Sequence, residues 1–210
     1  FTPSLKKHYL RSFSSLAHKH SLAPVPPSED TLPKGKETGI ILHALLEKII
    51  KEGLTHPYNH EAIHEMVNQF LYSTPLYPWL EQIIALVDKA FHIRLTTFAL
   101  KDVVAEDFYV EMEFLFKDKE DYTKGFIDLI FFFDGYYYIL DWKSNLLADY
   151  SQASVESAMK EHDYFLQANI YYEALKRYLT LKKSPHSIGG VFYLFLRGLP
   201  QDQGVFFKEN

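Results

Sequence analysis

The sequence predicts an α/β fold in which helices flank a mixed sheet and a helical N-terminal region comes first. Apolar residues in the first half of the chain recur at helical spacing, whereas from about Asp107 the chain turns to runs rich in aromatic and β-branched residues. A further helical stretch and one or two more strand-like runs follow. Helices, consecutive strands, a helix and a last strand in this order are typical of an α/β core.

The composition is that of a folded domain. The chain has 210 residues, of which 47% are hydrophobic and 16% aromatic, which is enough for one domain with its own core. No apolar stretch reaches the roughly 18 residues that a membrane span needs. The absence of cysteine excludes a disulfide framework, thiol catalysis and cysteine-based metal sites, and it fits a reducing cell interior.

The chain is mildly acidic, with 22 Lys and Arg against 27 Asp and Glu and a formal net charge of −5. This balance provides no general attraction to nucleic acid, so DNA binding must be local or assisted by a tether. Because the first residue is Phe1 and no secretory signal is visible near it, we expect a piece cut from a longer protein.

The first part of the chain divides into an arm and a helical half. Residues 1–36 are expected to hold a helix over 4–17 and then a linker or arm, because the prolines that crowd 21–35 cannot continue a helix. Three helices are predicted over 37–93, from Thr38 to Gly53, from an N-cap at Asn59 to about Tyr72, and from Leu76 to Phe91.

Residues 107–210 form the predicted α/β core. Asp134-Gly135 is a strong two-residue hairpin signal between two strand-like runs, so three strands should follow one another as a meander. The predicted bounds are Phe108–Phe116, Gly125–Phe133 and Tyr136–Trp142 for the meander, Val155–Leu179 for one long helix, and Gly190–Arg197 and Val205–Lys208 for the last strands.

Two aspartates are expected to face each other across this hairpin. Counting back along both strands from the facing pair Phe133 and Tyr136 places Asp128 opposite Asp141, with Cβ atoms roughly 4.5–5.5 Å apart. Apolar neighbours would keep water away, which raises the cost of two unpaired carboxylates. Lys143 follows Asp141 by two residues and therefore projects from the same face of the strand.

A divalent cation between the two carboxylates would remove that cost, and oxygen ligation suits Mg²⁺ or Mn²⁺ better than Zn²⁺. Two carboxylates on a hard cation with a lysine beside them predict phosphodiester hydrolysis. The cation polarises the phosphate and activates water, and the ammonium stabilises developing negative charge. The alternative is a structural Asp–Lys ion pair at a sheet end, since a D-x-K triplet alone is common.

Several segments carry a family resemblance. They are Gly125–Ile130, Tyr138–Asn145, Tyr164–Gln167 with Tyr171, and Gly189–Gly198. Together they resemble the PD-(D/E)XK nucleases, and among these the C-terminal nuclease domain of the RecB family, the β subunit of RecBCD-type helicase–nucleases (exodeoxyribonuclease V). The resemblance extends over most of the chain. It implies a restriction-endonuclease-like core and Mg²⁺-dependent hydrolysis of DNA strands, with Mn²⁺ as a substitute.

The resemblance also implies the metal ligands and the catalytic lysine. The ligands would be His43, Asp128, Asp141 and the main-chain carbonyl of Trp142, and Lys143 would be the catalytic lysine. Trp142 stands where the subfamily usually has Tyr, and we expect little effect on the chemistry because that side chain points away from the other two strand residues.

Four other positions match the family or border its motifs. Gln167 and Tyr171 match the Q-x-x-x-Y motif, and at this spacing they share one helix face and could touch the lysine or the DNA backbone. Glu111 matches a further acidic position, although Glu113 is the same type two residues on. Arg197 either contacts DNA or caps the last strand.

The resemblance further implies partners and a cellular setting. The partners would be DNA, as single strands or linear duplex ends, a helicase part of the same chain, and RecC-like and RecD-like subunits. We expect no membrane partner and a place in the bacterial cytoplasm. The predicted activity is a deoxyribonuclease without strong sequence preference that acts in double-strand break repair and recombination, since nothing in the chain looks like a base-reading helix.

Two alternatives compete with the nuclease hypothesis. A nuclease-like domain can be catalytically silent and serve as a scaffold for partner subunits, but such a domain should have lost a ligand or the lysine. The segment His60-Glu61-Ala62-Ile63-His64 is a literal H-E-x-x-H, the zinc metallopeptidase signature, with Glu81 available as a third ligand. Its position at the first turn of a helix argues against a peptidase.

Overall fold

A six-stranded mixed sheet forms the centre of the computed structural model, which describes residues 10–11, 32–118 and 121–209. The strands are β1 (Leu10–Arg11), β2 (Phe108–Asp118), β3 (Asp121–Phe133), β4 (Tyr136–Lys143), β5 (Ser187–Phe195) and β6 (Val205–Glu209). Their order is β1-β3-β4-β5-β6, and β2 also pairs with β3. The β1/β3 and β4/β5 pairs are parallel and the other pairs antiparallel.

The hairpin between β3 and β4 forms as predicted. Asp134 and Gly135 have φ angles of 47° and 85°, the positive values that a two-residue turn of this kind requires. Phe133 pairs with Tyr136, and the register expected from the sequence continues from there along both strands. The parallel β4/β5 pair then needs a helical crossover, which the chain supplies.

Within the described residues, five α-helices flank the sheet. They are α1 (Lys36–Lys51), α2 (His60–Leu71), α3 (Leu80–His92), α4 (Gln152–Glu161) and α5 (Tyr164–Leu181). The predicted cap of α2 is present, because the Asn59 side chain accepts a hydrogen bond from the Ala62 main-chain N–H at 3.1 Å. None of the described helices has the length and apolar character needed to cross a membrane.

Two apolar layers hold the helices on opposite faces of the sheet. Helices α1, α2 and α3 pack on one face, against side chains such as Leu140 and Trp142 of β4. Helices α4 and α5 pack on the other face, against Ile139 of β4 and Val191 of β5. Successive residues of β4 thus enter different layers, as the alternation of side chains along a strand demands. These helical layers on a mixed sheet confirm the predicted restriction-endonuclease-like fold class.

The prediction of one long helix over Val155–Leu179 is wrong, because the chain breaks at His162 and Asp163 between α4 and α5. Asp163 has a φ of 56°, in the left-handed region, and an α-helix cannot pass through such a residue. Aspartate tolerates this conformation better than most residues do. The Asp163 carbonyl then accepts from the Gln167 main-chain N–H at 3.2 Å, which begins the second helix.

The N-terminal arm differs from expectation where the structure describes it. Within the stretch 4–17, for which a helix is predicted, Leu10–Arg11 form the short strand β1 in parallel register with β3. The remainder of that helix and the arm up to residue 31 lie outside the described residues.

From residue 32 onward the arm packs on the domain through Arg197. Its Nε donates to the Ser144 carbonyl at 2.8 Å and its Nη1 to the Leu32 carbonyl at 2.5 Å, and its Nη2 donates to the Pro33 carbonyl. Leu32 itself is buried in the core. These bonds correspond to neither of the two roles considered for Arg197, which were DNA contact and capping of the last strand. The guanidinium instead joins the arm to the end of β4.

Candidate active site

The sheet opens at Asp128 on β3. The β3/β4 ladder runs back from the turn to the pair Leu129 and Leu140 and ends there, one position before Asp128 and Asp141. On the other side of β3 the regular pairing with β2 skips Glu111, whose φ of 50° takes it out of extended geometry. The carboxylates therefore lie just beyond the last pair of the β3/β4 ladder, at an irregular point of the sheet.

Asp128 and Asp141 are electrostatically coupled at this opening. The Trp142 main-chain N–H donates to Asp128 Oδ2 at 3.0 Å, which fixes the Asp128 carboxylate against β4. Burial and the charge of Asp128 raise the pKa of Asp141 to about 6, although Lys143 and His43 oppose the shift. A bound cation would relieve the repulsion that a second carboxylate exerts on Asp141.

Lys143 lies beside Asp141, on the same face of β4. Its Nζ is 2.6 Å from Asp141 Oδ2, and the side chain is only 10% exposed. The Nζ also lies 4.0 Å from the centroid of the Tyr164 ring and 5.2 Å from that of Tyr193. Burial alone would lower the pKa of Lys143, but the charges of Asp141, Tyr164 and Asp128 together with the hydrogen bond to Asp141 outweigh it, and the net shift is upward. The structure thus holds a charged ammonium in a nearly dry position.

Gln167 and Tyr171 of α5 complete the surroundings of the lysine. Gln167 Oε1 accepts from Lys143 Nζ at 2.9 Å and from the Tyr193 hydroxyl at 3.2 Å. Gln167 Nε2 donates to the Tyr171 hydroxyl at 2.8 Å. Both polar ends of the buried amide are therefore used, one to orient the ammonium and the other to bind the tyrosine.

Tyr193 is a residue of this site that the sequence analysis missed. It pairs directly with Asp141 across the parallel β4/β5 ladder, and its side chain is fully buried. Its hydroxyl lies 3.1 Å from the Tyr164 carbonyl as well, so its one proton is shared between that oxygen and Gln167 Oε1. A tyrosine inside the otherwise apolar run Val191–Phe195 was the available signal, because a buried hydroxyl needs a polar partner.

His43 reaches the carboxylates from α1. Its Nδ1 lies 3.2 Å from Asp128 Oδ2, and its side chain is 30% exposed. Burial lowers the pKa of His43, but the hydrogen bond to Asp128 and the charges of Asp128 and Asp141 together have a larger, opposite effect, so the net shift is upward. Gly39, one turn earlier, lets α1 approach the end of β4, since a Cβ there would lie 2.8 Å from Ser144 Oγ.

Of the two glutamates left open by the sequence, Glu111 is the one near the site. Burial and the charges of Asp128 and Glu47 raise the pKa of Glu111. Together with His43 it lines a surface cleft of about 450 Å³. Glu113 instead forms an ion pair with Lys124 and is more than half exposed.

The ligand atoms available at this site suit a hard divalent cation. Asp141 Oδ2 is buried and accepts no hydrogen bond of good geometry among the described residues, although the Lys143 ammonium is close. A carboxylate oxygen that accepts no hydrogen bond from an uncharged group is well suited to bind such an ion. The Trp142 side chain packs in the opposite apolar layer, which leaves only its main chain near the carboxylates.

Comparison with known proteins identifies the family to which the chain is similar. The sequence profile of the PD-(D/E)XK nuclease superfamily matches residues 6–209. The chain is 32% identical over 217 residues to the RecBCD enzyme subunit RecB of Chlamydia pneumoniae, an alignment that covers 95% of this chain and 20% of that protein. It is 31% identical over 215 residues to RecBCD enzyme subunit RecB of Escherichia coli (strain K12), covering 83% of this chain and 18% of the relative.

A third similar protein is the RecBCD enzyme subunit RecB of Borreliella burgdorferi, 32% identical over 249 residues, with 91% of this chain and 21% of the relative covered. The chain therefore spans about a fifth of the length of the curated relatives it matches.

Proposed function

The chain belongs to the PD-(D/E)XK nuclease superfamily, and we propose that it is the Mg²⁺-dependent DNA nuclease domain of a RecBCD-type helicase–nuclease. The observation that carries the proposal is the Lys143 ammonium, buried 2.6 Å from Asp141 Oδ2 at the point where the sheet opens. A merely structural ion pair would not need Asp128 beside it, because a second carboxylate raises the pKa of Asp141.

Nucleases of this superfamily use divalent metal ions, and the residues that would hold one here are His43, Asp128, Asp141 and the Trp142 carbonyl. We propose Mg²⁺, with Mn²⁺ as a substitute, because carboxylate and carbonyl oxygens dominate this set. When bound, such an ion polarises the phosphate and lowers the pKa of a coordinated water.

The other residues act on the phosphate through Lys143. The ammonium remains protonated because Asp141 and the other negative groups around it together outweigh the effect of burial on its pKa, so it can stabilise negative charge that develops on the phosphate oxygens. Gln167 and Tyr193 orient the ammonium before substrate arrives, which removes part of the reorganisation cost. Tyr171 holds the Gln167 amide in place from the same helix.

We propose DNA as the substrate, delivered as single strands or linear duplex ends by a helicase part of the same chain. RecC-like and RecD-like subunits are the proposed partners, and double-strand break repair and recombination in the bacterial cytoplasm the proposed role. Residues 37–210 would constitute the nuclease domain and residues 1–36 an arm. The hydrogen bonds from Arg197 to Leu32 and Pro33 support an arm that is fixed to the domain.

The proposal is tested by replacing the lysine while keeping its apolar stem. Lys143→Met should lower the rate of Mg²⁺-dependent cleavage of single-stranded DNA by about 100–1,000-fold, the usual cost of removing one charge-stabilising group. The control is Lys124→Met, a partly exposed lysine on the neighbouring strand β3. Cleavage by Lys143→Met at the rate of the control would refute the assigned role.

The silent-scaffold alternative makes a different prediction about metal binding. If the domain were only a scaffold, titration calorimetry should detect no Mg²⁺ or Mn²⁺ binding that depends on Asp128 and Asp141. Binding lost in an Asp128→Asn variant would reject the scaffold, independently of any cleavage.

A further inference from the structure

Three metal-ligating side chains meet between α2 and α3, on elements that do not contribute to the nuclease cluster. His60 and His64 lie one turn apart on α2, with ring centroids 3.7 Å apart. Asp88 of α3 faces both, and its Oδ2 is 3.2 Å from His60 Nε2 and 2.7 Å from His64 Nε2. In the part of the chain that the structure describes, this is the one such trio whose ligand atoms all lie within 4.8 Å of one another.

We propose that His60, His64 and Asp88 bind a Zn²⁺ ion that is separate from the nuclease metal. Two imidazole nitrogens and one carboxylate oxygen are a ligand set that Zn²⁺ accepts, with a water in the fourth position. With bonds of 2.0–2.1 Å, neighbouring ligand atoms of a tetrahedral zinc lie about 3.3 Å apart. The observed separations of 3.2 and 2.7 Å require only a small outward movement of the side chains.

The surrounding residues fix the three ligands in advance. The Tyr58 hydroxyl donates to Asp88 Oδ1 at 2.5 Å, so this oxygen is held while Oδ2 faces the histidines. A hydrogen bond of this kind to a ligating carboxylate is typical of metal sites. The Asn59 cap fixes the first turn of α2, from which His60 projects. The site therefore needs no rearrangement of the two helices.

The geometry also distinguishes this site from a peptidase centre. Glu81, the third ligand expected for a peptidase from the sequence, is not part of the trio, and Asp88 takes that position. His60 is 61% exposed and lines a surface depression of about 460 Å³, so an ion can approach the trio from solvent on the side of His60. Bound there, the ion would join α2 to α3 within the helical half of the domain.

Ion selectivity separates the two metal sites. Imidazole nitrogens favour Zn²⁺ and other transition ions, whereas Mg²⁺ prefers oxygen ligands and gives up its water reluctantly. Excess Mg²⁺ should therefore leave the His60–His64–Asp88 site free for Zn²⁺.

The test uses the untagged 210-residue chain with Asp128→Asn and Asp141→Asn, so that the nuclease cluster no longer competes for the ion. Zn²⁺ is titrated by calorimetry in excess Mg²⁺, and we expect one ion per chain. Adding His64→Ala should weaken binding by about 100-fold or more, because loss of a mere supporting partner already costs 10–100-fold. Co²⁺ in place of Zn²⁺ should give the visible absorption bands of a tetrahedral site.

The matched control is a double replacement, His18→Ala with His20→Ala, which removes two other histidines of the same chain. This variant should bind Zn²⁺ as the parent does. Binding that is unchanged by His64→Ala, or that disappears in the control, would overturn the proposal, as would a parent chain that binds no Zn²⁺.

Two further measurements distinguish loss of Zn²⁺ binding from loss of folding, and failure of the zinc site from failure of the nuclease site. His60→Ala, at the most exposed ligand, should lose Zn²⁺ while its circular dichroism spectrum stays that of the parent. Zn²⁺ should raise the melting temperature of the parent and leave that of His60→Ala unchanged. In the otherwise wild-type chain, His64→Ala should retain Mg²⁺-dependent cleavage, so failure of the zinc site and failure of the proposed nuclease are distinguishable.

Discussion

Lys143 is a charged side chain in surroundings that would ordinarily exclude one. Its ammonium contacts the Asp141 carboxylate, the Gln167 amide oxygen and the faces of Tyr164 and Tyr193. Removing one partner of a buried ion pair strands the other charge, which typically costs about 3–5 kcal/mol. Variants of these residues should therefore be judged by cleavage rate relative to the folded fraction, and by circular dichroism alongside it.

Glu111 and Glu113 offer a matched pair of tests on one strand. Glu111→Ala should lower the Mg²⁺-dependent cleavage rate by about 10–100-fold, because Glu111 supports the metal-binding carboxylates through the charge it adds beside Asp128. Glu113→Ala removes an exposed carboxylate that is paired with Lys124, and its rate should remain within about twofold of wild type, as for most surface changes. Equal losses in both variants would contradict the assignment of Glu111.

The raised pKa of Asp141 predicts how metal binding depends on pH. A protonated carboxyl must release its proton before it can bind a cation, so the Mg²⁺ affinity should fall by about tenfold per pH unit below the pKa of about 6. The upward shift of the His43 pKa acts in the same direction. Calorimetric titration of Mg²⁺ between pH 7.5 and pH 5 measures this slope. Each tenfold change in affinity corresponds to about 1.4 kcal/mol of binding free energy.

The raised pKa of Asp141 also predicts how the stability of the metal-free domain depends on pH. Since burial raises the folded pKa of Asp141 from 3.8 to about 6, its contribution to stability is present below about pH 3.8 and is lost as the pH rises through 6. Mg²⁺ should restore stability above pH 6. An affinity for Mg²⁺ that does not change between pH 7.5 and pH 5 would contradict the raised pKa.

Residue by residue, the sequence predicted what strand alternation controls. The hairpin register brought Asp128 near Asp141, and the two-residue period put Lys143 on the face of Asp141. His43 came from the resemblance alone, because a histidine on a helix edge has no pattern of its own. The choice between Glu111 and Glu113 stayed open because residues of the same type two positions apart share one face of a regular strand. The positive φ of Glu111, which separates the two, is a feature of the structure alone.

Asp88 shows why a ligand on a second helix escapes sequence motifs. It lies 24 residues after His64, and only the packing of α3 on α2 brings them together. The H-E-x-x-H spacing therefore contains two members of the trio, and Glu81, the further ligand available in the sequence, is not among them.

At the scale of elements, the break between α4 and α5 determines where the lysine finds its partners. Neither His162 nor Asp163 is a helix breaker by residue type, so the sequence favoured one continuous helix. The left-handed Asp163 instead starts α5 afresh, and from this start Gln167 and Tyr171 face the buried side of the helix. Tertiary packing thus overrode local propensity at this position.

Substitution of Asp163 tests the role of this break. Asp163→Val should lower the free energy of unfolding by about 1–2 kcal/mol, because a β-branched residue is strained in the left-handed region. Asp163→Asn should be nearly neutral, since asparagine tolerates that region. Denaturant titration followed by circular dichroism compares the two variants, and equal stability of Val and Asn would contradict the strained break.

At the scale of the whole molecule, the sheet carries Asp128, Asp141 and Lys143 near its centre, while the two helical layers supply His43 and Gln167. The chain spans about a fifth of its curated relatives. Its net charge of −5 means few phosphate contacts and little counterion release on binding DNA. In the proposed assembly a helicase part would therefore provide the affinity for DNA, and this domain the chemistry.

The central claim is that Asp141 and a divalent cation together cleave DNA at this site. Its most direct test is degradation of end-labelled linear single-stranded DNA by the purified chain with Mg²⁺, beside EDTA and an Asp141→Asn variant. A matched control is Glu173→Gln, an exposed carboxylate that pairs with Arg177 on α5. Enzyme should be in excess because DNA binding is expected to be weak. Cleavage by wild type and Glu173→Gln, abolished by EDTA and by Asp141→Asn, is the predicted result, and cleavage that persists in Asp141→Asn would contradict it.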